Sequence, residues 1–309
     1  MKKQPLILWA ILALFLFPAC QEDIAVVPDN PSNSDGSDDD SGQPDQGIDP
    51  QYQPCLNELD SQTLDILTWN IEFFPKQGNT TIDNVYDVIR NSQTDIVGIQ
   101  EVDSRTAIND LAEDLVGWEV KTGNVTSNLD LAYLYKTSEI ELLEGPSRIY
   151  PNNNYAFPRE PVLVKVRHKH TGLEVLMINI HQKCCGGSDN EDRRREASEL
   201  LKKYIDEEHP NTAVVVLGDF NDDIYESGPN VFQNFMDDTD NYRFADRDVA
   251  QGPSSGWSYP SYPSHLDHLL ITDELFDRFK ASRTLTVNEC LNTYYSTVSD
   301  HRPVMLRLE

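Results

Sequence analysis

Six short polar groupings in this 309-residue chain carry side chains that can do chemistry: Thr68-Trp69-Asn70, Ile99-Gln100-Glu101, Asn179-Ile180-His181, Gly218-Asp219-Phe220-Asn221-Asp222, Leu266-Asp267-His268 and Ser299-Asp300-His301-Arg302-Pro303. A single carboxylate or amide at the end of an apolar run is ordinarily a turn or a helix cap. Six of them, each where a strand starts or stops, read differently, because strand ends on one rim of a sheet converge. Glu101 and Asp300 offer the hard oxygen ligands that Mg²⁺ or Mn²⁺ accepts, and Asn70 adds a neutral oxygen or a donor. Asp219 and Asn221, two residues apart on a turn, suit the holding of a water and of an anionic oxygen. His181 and His301 can hold or move a proton near neutrality. Together these groups are equipped for metal-assisted attack of water.

The elements that must position them are short, apolar, β-branched runs, read as buried strands over Leu64 to Ile71, Asp95 to Val102, Leu131 to Tyr135, Val162 to Arg167, Glu174 to His181, Ala213 to Asp219, Leu266 to Thr272 and Pro303 to Leu308. Between them Asn190 to Glu207 has Ala197, Leu200, Leu201, Tyr204 and Ile205 at helical spacing. Val85, Val88 and Ile89 mark a second helix, and Ile108, Leu111, Ala112 and Leu115 a third. Strands apolar on both sides need cover on both faces, which two packed sheets with helices outside would supply.

The order WN, QE, NxH, GDFN, D, SDH resembles the endonuclease/exonuclease/phosphatase superfamily, the DNase I-like group, over about Leu64 to Leu308. The resemblance implies an α/β fold, a four-layer αββα sandwich of two packed mixed β-sheets flanked by helices, with the site at the mouth between the sheets. It implies that Glu101 is the principal ligand of a divalent cation, Mg²⁺ with Mn²⁺ as the alternative, that Asn70 helps to place it and that Asp300 joins it. It pairs His301 with Asp267, an arrangement that fixes the ring's tautomer and lets it act either as a base or, charged, as a stabiliser. His181 would donate to the phosphate or protonate the leaving oxygen. Asp219 and Asn221 would hold the attacking water and a non-bridging oxygen. Arg159, in Phe157-Pro158-Arg159-Glu160-Pro161, resembles the arginine beside the phosphate site in DNase I, the other reading being a surface ion pair.

Substrate is where the pattern departs. Asp103 follows Glu101-Val102 where DNase I has an arginine, so this position repels a polyanion. Cys184 to Asp189 and Gly256 to Pro263 flank His181 and Asp267 and would form a rim; Trp257, Tyr259 and Tyr262 either stack on a base or a sugar or pack that loop. Arg193, Arg194 and Arg195 form the best local cationic patch or, more plainly, a solvated helix face. The expected activity is a nuclease-like phosphodiesterase, the alternatives being a phosphatase or phospholipase-C-like hydrolase of sugar, inositol or lipid phosphates and, from another class, an inactive surface binding module. The partners are accordingly a phosphate ester (nucleic acid, nucleotide, sugar or lipid phosphate) and, through the N-terminus, a membrane; the chain is expected as a monomer.

Composition bounds these readings. With 52 acidic against 25 basic residues and a formal net charge of −27, the chain lacks the Lys and Arg that give unspecific affinity for polyanions. Lys2-Lys3, the apolar run Leu6 to Phe17 and Pro18-Ala19-Cys20 have the layout of a bacterial lipoprotein signal over residues 1–19, with Cys20 as the lipidated residue. Gln21 after that cysteine points to the outer membrane of the cell envelope, and Glu22-Asp23 is a weak pointer to its outer surface. Residues 20–55, rich in Ser, Pro, Gly and Asp, read as an extended, solvated tether, and 56–309 as the catalytic domain. Four further cysteines, Cys55, Cys184, Cys185 and Cys290, allow three pairings; Cys55 with Cys290 is favoured because it would fasten the start of the domain to a strand near its end, and a vicinal Cys184-Cys185 bridge stays open. No CxxC spacing supports zinc.

Overall fold

The computed structural model of the chain describes residues 48–56, 62–127, 129–226 and 230–309. Cys20, the signal segment and the tether up to residue 47 lie outside the described residues.

Among the described residues twelve strands form two six-stranded mixed sheets. The first runs β11 (Phe279–Thr284), β12 (Val304–Leu308), β1 (Leu64–Phe74), β2 (Ile96–Val102), β4 (Asp130–Lys136), β3 (Trp118–Thr122). The second runs β5 (Ile140–Arg148), β6 (Val162–His168), β7 (Glu174–His181), β8 (Val214–Asp219), β10 (Asp267–Thr272), β9 (Tyr242–Phe244). In each, one central pair is parallel, β1 with β2 and β7 with β8, and the other pairings are antiparallel.

Strand alternation builds the layers. Side chains two apart share a face, so Leu64 and Ile66 join Met177, Val215, Leu217, Leu269 and Leu306 in a core between the sheets. Leu67, Trp69 and Ile71 face outward under α1 (Asn79–Ser92) and α2 (Arg105–Asp114), whose Val85, Val88, Ile89, Ile108 and Leu111 cover them. Ile178, Ile180, Val214 and Val216 face outward on the other side, under Ala197, Leu201 and Ile205 of α3 (Ser188–Glu208). The result is the four-layer αββα arrangement, with two mixed sheets flanked by helices.

Gly98 lets the sheets close together: a Cβ there would lie 2.1 Å from Leu217 Cδ1. Beside it a polar bridge crosses the interior, where buried Asn179 of β7 donates from Nδ2 to the carbonyls of Ile99 and Ala132 and accepts from Gln100 Nε2.

Residues 48–55 belong to this folded body and not, as expected, to a tether running to residue 55. Ile48, Tyr52 and Cys55 are buried in the core under the first sheet, and the amide of Asp49 donates to Asn91 Oδ1. Cys55 is bonded to Cys290. The partner lies just beyond a 3₁₀ turn (Val287–Glu289) and not on a strand as expected.

Candidate active site

The same alternation that fills the inner core brings the polar residues to its mouth. Asn70 continues the inward phase of Leu64 and Ile66, Asp219 that of Val215 and Leu217, His181 that of Met177 and Asn179, and Asp267 that of Leu269. Strand pairing sets them side by side, since His181 is opposite Asp219 and Asp219 is opposite Asp267. Three catalytic candidates are thus one row across three strands. Gly218 is required there: its φ is +148°, and a Cβ would lie 1.9 Å from the Ile180 carbonyl oxygen.

Glu101 reaches the mouth by a distortion. The β2–β4 register shifts between Ile99 and Val102, and Glu101 takes a φ of +64°, in the left-handed region that side chains other than glycine seldom occupy. Asn221 (+54°) and Glu72 (+39°) lie in that region as well. Such backbone strain gathers where a side chain must be aimed. Glu101 is held by Asn70 Nδ2 at 3.2 Å and the Phe73 amide at 3.1 Å. The Asn70 amide also donates to Asp219 Oδ2 at 3.0 Å, while its oxygen accepts from the Glu72 amide. Asn70 therefore acts on both acids as a donor; its amide nitrogen, not its oxygen, faces them.

His301 precedes β12, which runs antiparallel to β1 and so starts at the end of β1 that carries Asn70. Ser299 fixes it there, donating to the Asn70 carbonyl and accepting from the His301 amide. Its ring donates from Nδ1 to Asp267 Oδ2 at 2.7 Å, leaving Nε2 3.9 Å from Asp219 Oδ2 and 4.0 Å from Asp300 Oδ1. The Tyr259 ring packs against it at 4.8 Å. His181 Nε2 lies 3.4 Å from Asp219 and 3.7 Å from Glu101.

Burial pushes Asp219 up to about 7, with His301 working against the shift and Asp267 with it. Burial opposes charge on His301, but Asp267 and Asp219 outweigh it and raise the ring to about 10. His181 falls well below its ordinary value because it is buried beside Arg159 and His301. Burial also raises Asp300, against the pull of His301.

Glu101, His181, Asp219, Asn221, Asp300 and His301 open, together with Arg159, on one cavity of about 620 Å³, whereas Asn70 and Asp267 are buried and do not line it. Arg159 offers a cation to it, its buried Nε having no hydrogen-bond partner among the described residues. Of the arginine triplet only Arg194 lines it, and its charge is already paired. Arg193 donates to the carbonyls of Tyr155 and Asn154, buried Arg194 pairs with Asp222, and Arg195 donates to the Asn230 carbonyl.

Two contributors were not singled out from the sequence. Glu72, from the bulged end of β1, lines the cavity and accepts from the Asp300 amide. Buried Asp246, just after the strand that pairs with the Asp267 strand, accepts from His265, His268 and the Leu269 amide. This second cluster is not a cation site, because the Ser258 amide donates to His265 Nδ1 and so places the ring proton on Nε2, the atom that faces Asp246. Nothing local to Asp246 signals this role, since its partners lie 19 and 22 residues away.

Among solved structures the fold is similar to a humanized D. rerio TDP2 (TM-score 0.64, 12% identity, covering 80% of this chain and 99% of that one). It is likewise similar to an endonuclease/exonuclease/phosphatase from Bacteroides vulgatus (0.61, 20%, 80% and 98%) and to the Bacteroides thetaiotaomicron mannosyl-6-phosphatase Bt3783 (0.61, 16%, 80% and 99%). No curated protein matches the chain in sequence. The family model Endonuclease/Exonuclease/phosphatase family matches residues 67–301, from strand β1 to the histidine paired with Asp267, and the chain belongs to that family of phosphoester hydrolases.

Proposed function

We propose that the chain hydrolyses esters of phosphate with the help of Mg²⁺ or Mn²⁺, by attack of water on phosphorus, and that its substrates are small phosphate esters in preference to nucleic-acid strands. The observation that supports the reaction is the convergence of Glu101, His181, Asp219, Asn221, His301 and Arg159 on one cavity. The donor set fits a divalent cation, since Glu101 and Asp300 present carboxylate oxygens to the same cavity and Asn70 orients the first of them. Glu101 and Asp300 would hold it, and it would polarise the phosphoryl oxygens and offset their developing charge.

The chain's own groups divide the remaining work. Asp219, raised to about 7, is the group suited to take the proton of the attacking water near neutrality. His301, kept charged by Asp267, stabilises the negative charge that builds on the phosphoryl oxygens. Neutral His181 donates a hydrogen bond to them, and Asn221 and Arg159 fix the oxygens that do not react.

The preference for small esters rests on the cavity wall. Glu72, Glu191, Asp223 and Glu226 line it, and apart from the charged His301 the cations there are Arg159 and Arg194, the second already paired with Asp222. A strand laid across this wall would set successive phosphates against carboxylates. A single phosphate seated at Arg159 would not meet them.

A panel of DNA, RNA, sugar monophosphates, inositol phosphates and sphingomyelin, assayed with Mg²⁺, with Mn²⁺ and with EDTA, tests both parts. Turnover of the monophosphates, lost in EDTA and in His301→Ala, is the expected result. Faster cleavage of DNA would overturn the substrate assignment, and turnover indifferent to EDTA the reaction. The lipid anchor at Cys20 and the outer-membrane location belong to the same proposal and rest on the signal and lipobox residues; fatty-acid labelling that survives Cys20→Ser would refute them.

A further inference from the structure

Cys184 and Cys185 stand at the lip of the active-site cavity, next to Arg159 and His181, and the proposed reaction uses neither. Their sulfurs lie 2.9 Å apart, with the Cys185 thiol donating to Cys184 Sγ, which also accepts from Lys183 Nζ at 3.4 Å. Both are free, Cys185 exposed and Cys184 half-buried, in a chain whose other pair, Cys55 and Cys290, is bonded. From these contacts we propose that Cys184 and Cys185 are a reversible dithiol–disulfide pair whose closure lowers the turnover of the neighbouring site.

The backbone makes such a bond labile. Consecutive Cα atoms are about 3.8 Å apart, short of the roughly 4.4–6.8 Å that an unstrained disulfide spans. A strained bridge is readily reduced, which suits a switch and not a staple. Cys185 already holds a φ of +78°.

The coupling to the site is a set of shared hydrogen bonds. Arg194 clamps the carbonyls of Lys183 and Cys185 at 2.8 and 3.0 Å and, through Nε, the carboxylate of Asp222. Asn221 donates to the carbonyl of Gln182 at 3.3 Å. Drawing the two sulfurs into a bond turns the peptide between clamped carbonyls, and the turn that carries Asp219 and Asn221 must take up the strain.

The oxidant class is a small-molecule disulfide. The Cys184 thiolate, which burial opposes but the Cys185 hydrogen bond and Lys183 favour on balance, attacks one sulfur and releases the first thiol. The Cys185 sulfur then attacks Cys184 Sγ and releases the second. Two electrons pass to the oxidant, and the two cysteine protons leave on the two released thiols.

The test is to equilibrate the full chain in glutathione buffers running from reduced to oxidised, map disulfides by mass spectrometry, and follow hydrolysis of bis(p-nitrophenyl) phosphate or p-nitrophenyl phosphate with Mg²⁺. The expected result is an internal Cys184–Cys185 bond in oxidised buffer, Cys55–Cys290 closed throughout, and turnover that falls about threefold or more and recovers on reduction. Cys184→Ser and Cys185→Ser should each abolish the response and keep the basal rate. Free thiols across the whole range, glutathione adducts without an internal bond, an internal bond with unchanged turnover, or a response that persists in both serine variants would each overturn it. The turnover arm rests on the hydrolase reading and the mapping arm does not. If neither ester is hydrolysed the two readings separate, because bond mapping and the affinity for inorganic phosphate in the two buffers still decide the pair.

Discussion

Asp219 lies between two histidines, and its surroundings decide which of the three groups moves a proton. The aspartate is buried with Asp267 close by, so its proton is held up to about 7, whereas His301 is held charged to about 10 by the same two carboxylates. Water attack needs Asp219 ionised and His301 protonated. Activity should therefore rise as pH passes about 7 and fall as it approaches about 10, giving a bell in kcat/KM. Replacing Asp267 by Asn removes the stronger support of the His301 charge, so the alkaline limb should move to lower pH while the acid limb moves less. An alkaline limb unmoved in Asp267→Asn would mean that His301 does not titrate in it. Replacing His301 by Ala should cost about 10²–10⁴-fold in kcat at the optimum, and a loss of less than about tenfold would remove it from the reaction.

At the scale of the elements, what was legible in the sequence and what was not have one physical cause. The eight strands read as apolar runs are all present, and each is covered on both faces or paired on both edges. The four that were not read, β3, β5, β9 and β11, are the outermost strands of the two sheets. Edge strands are half exposed, so Trp118–Thr122 and Phe279–Thr284 mix charged and apolar residues and carry no continuous hydrophobic signal. The site was legible because polar residues at strand ends stand out against apolar runs. Glu72 was not, since only the bulge after Asn70 turns it toward the cavity and a register shift leaves no trace in composition. Asn179 illustrates the opposite case. It stands in one of the chemistry-bearing groupings, yet its side chain spends its hydrogen bonds across the interior between the sheets. Asn179→Ala should remove the bonds to the Ile99 and Ala132 carbonyls and one of the three that Gln100 Nε2 donates, a loss of about 2–4 kcal/mol in urea unfolding. A loss below about 0.5 kcal/mol would show that the bridge is dispensable or that water replaces it.

For the molecule as a whole, the Cys55–Cys290 bond closes a separation of 235 residues and ties the segment around Tyr52 to the core under the first sheet. Cys290→Ser should lower stability by about 2–5 kcal/mol while leaving kcat nearly unchanged, because the bond lies among residues of that outer core and not at the cavity. A large fall in kcat with unaltered stability would contradict this division. The net charge of −27 acts at longer range. It repels any anionic substrate on approach, whereas Arg159 and a bound cation attract it at contact. Salt screens exposed, distant charges more than buried, close ones, with a Debye length of about 10 Å near 0.1 M. Raising NaCl from about 0.02 to about 0.2 M at saturating Mg²⁺ should therefore increase kcat/KM for a phosphate monoester dianion, and do so more steeply for a polyanion than for a neutral-headed ester. Lac-repressor-like behaviour, in which affinity for DNA falls steeply with salt, is the signature of phosphates neutralised by Lys and Arg. Finding that slope here would mean that a cationic surface outweighs the acidic wall of Glu72, Glu191, Asp223 and Glu226, and the preference for small esters would fall with it.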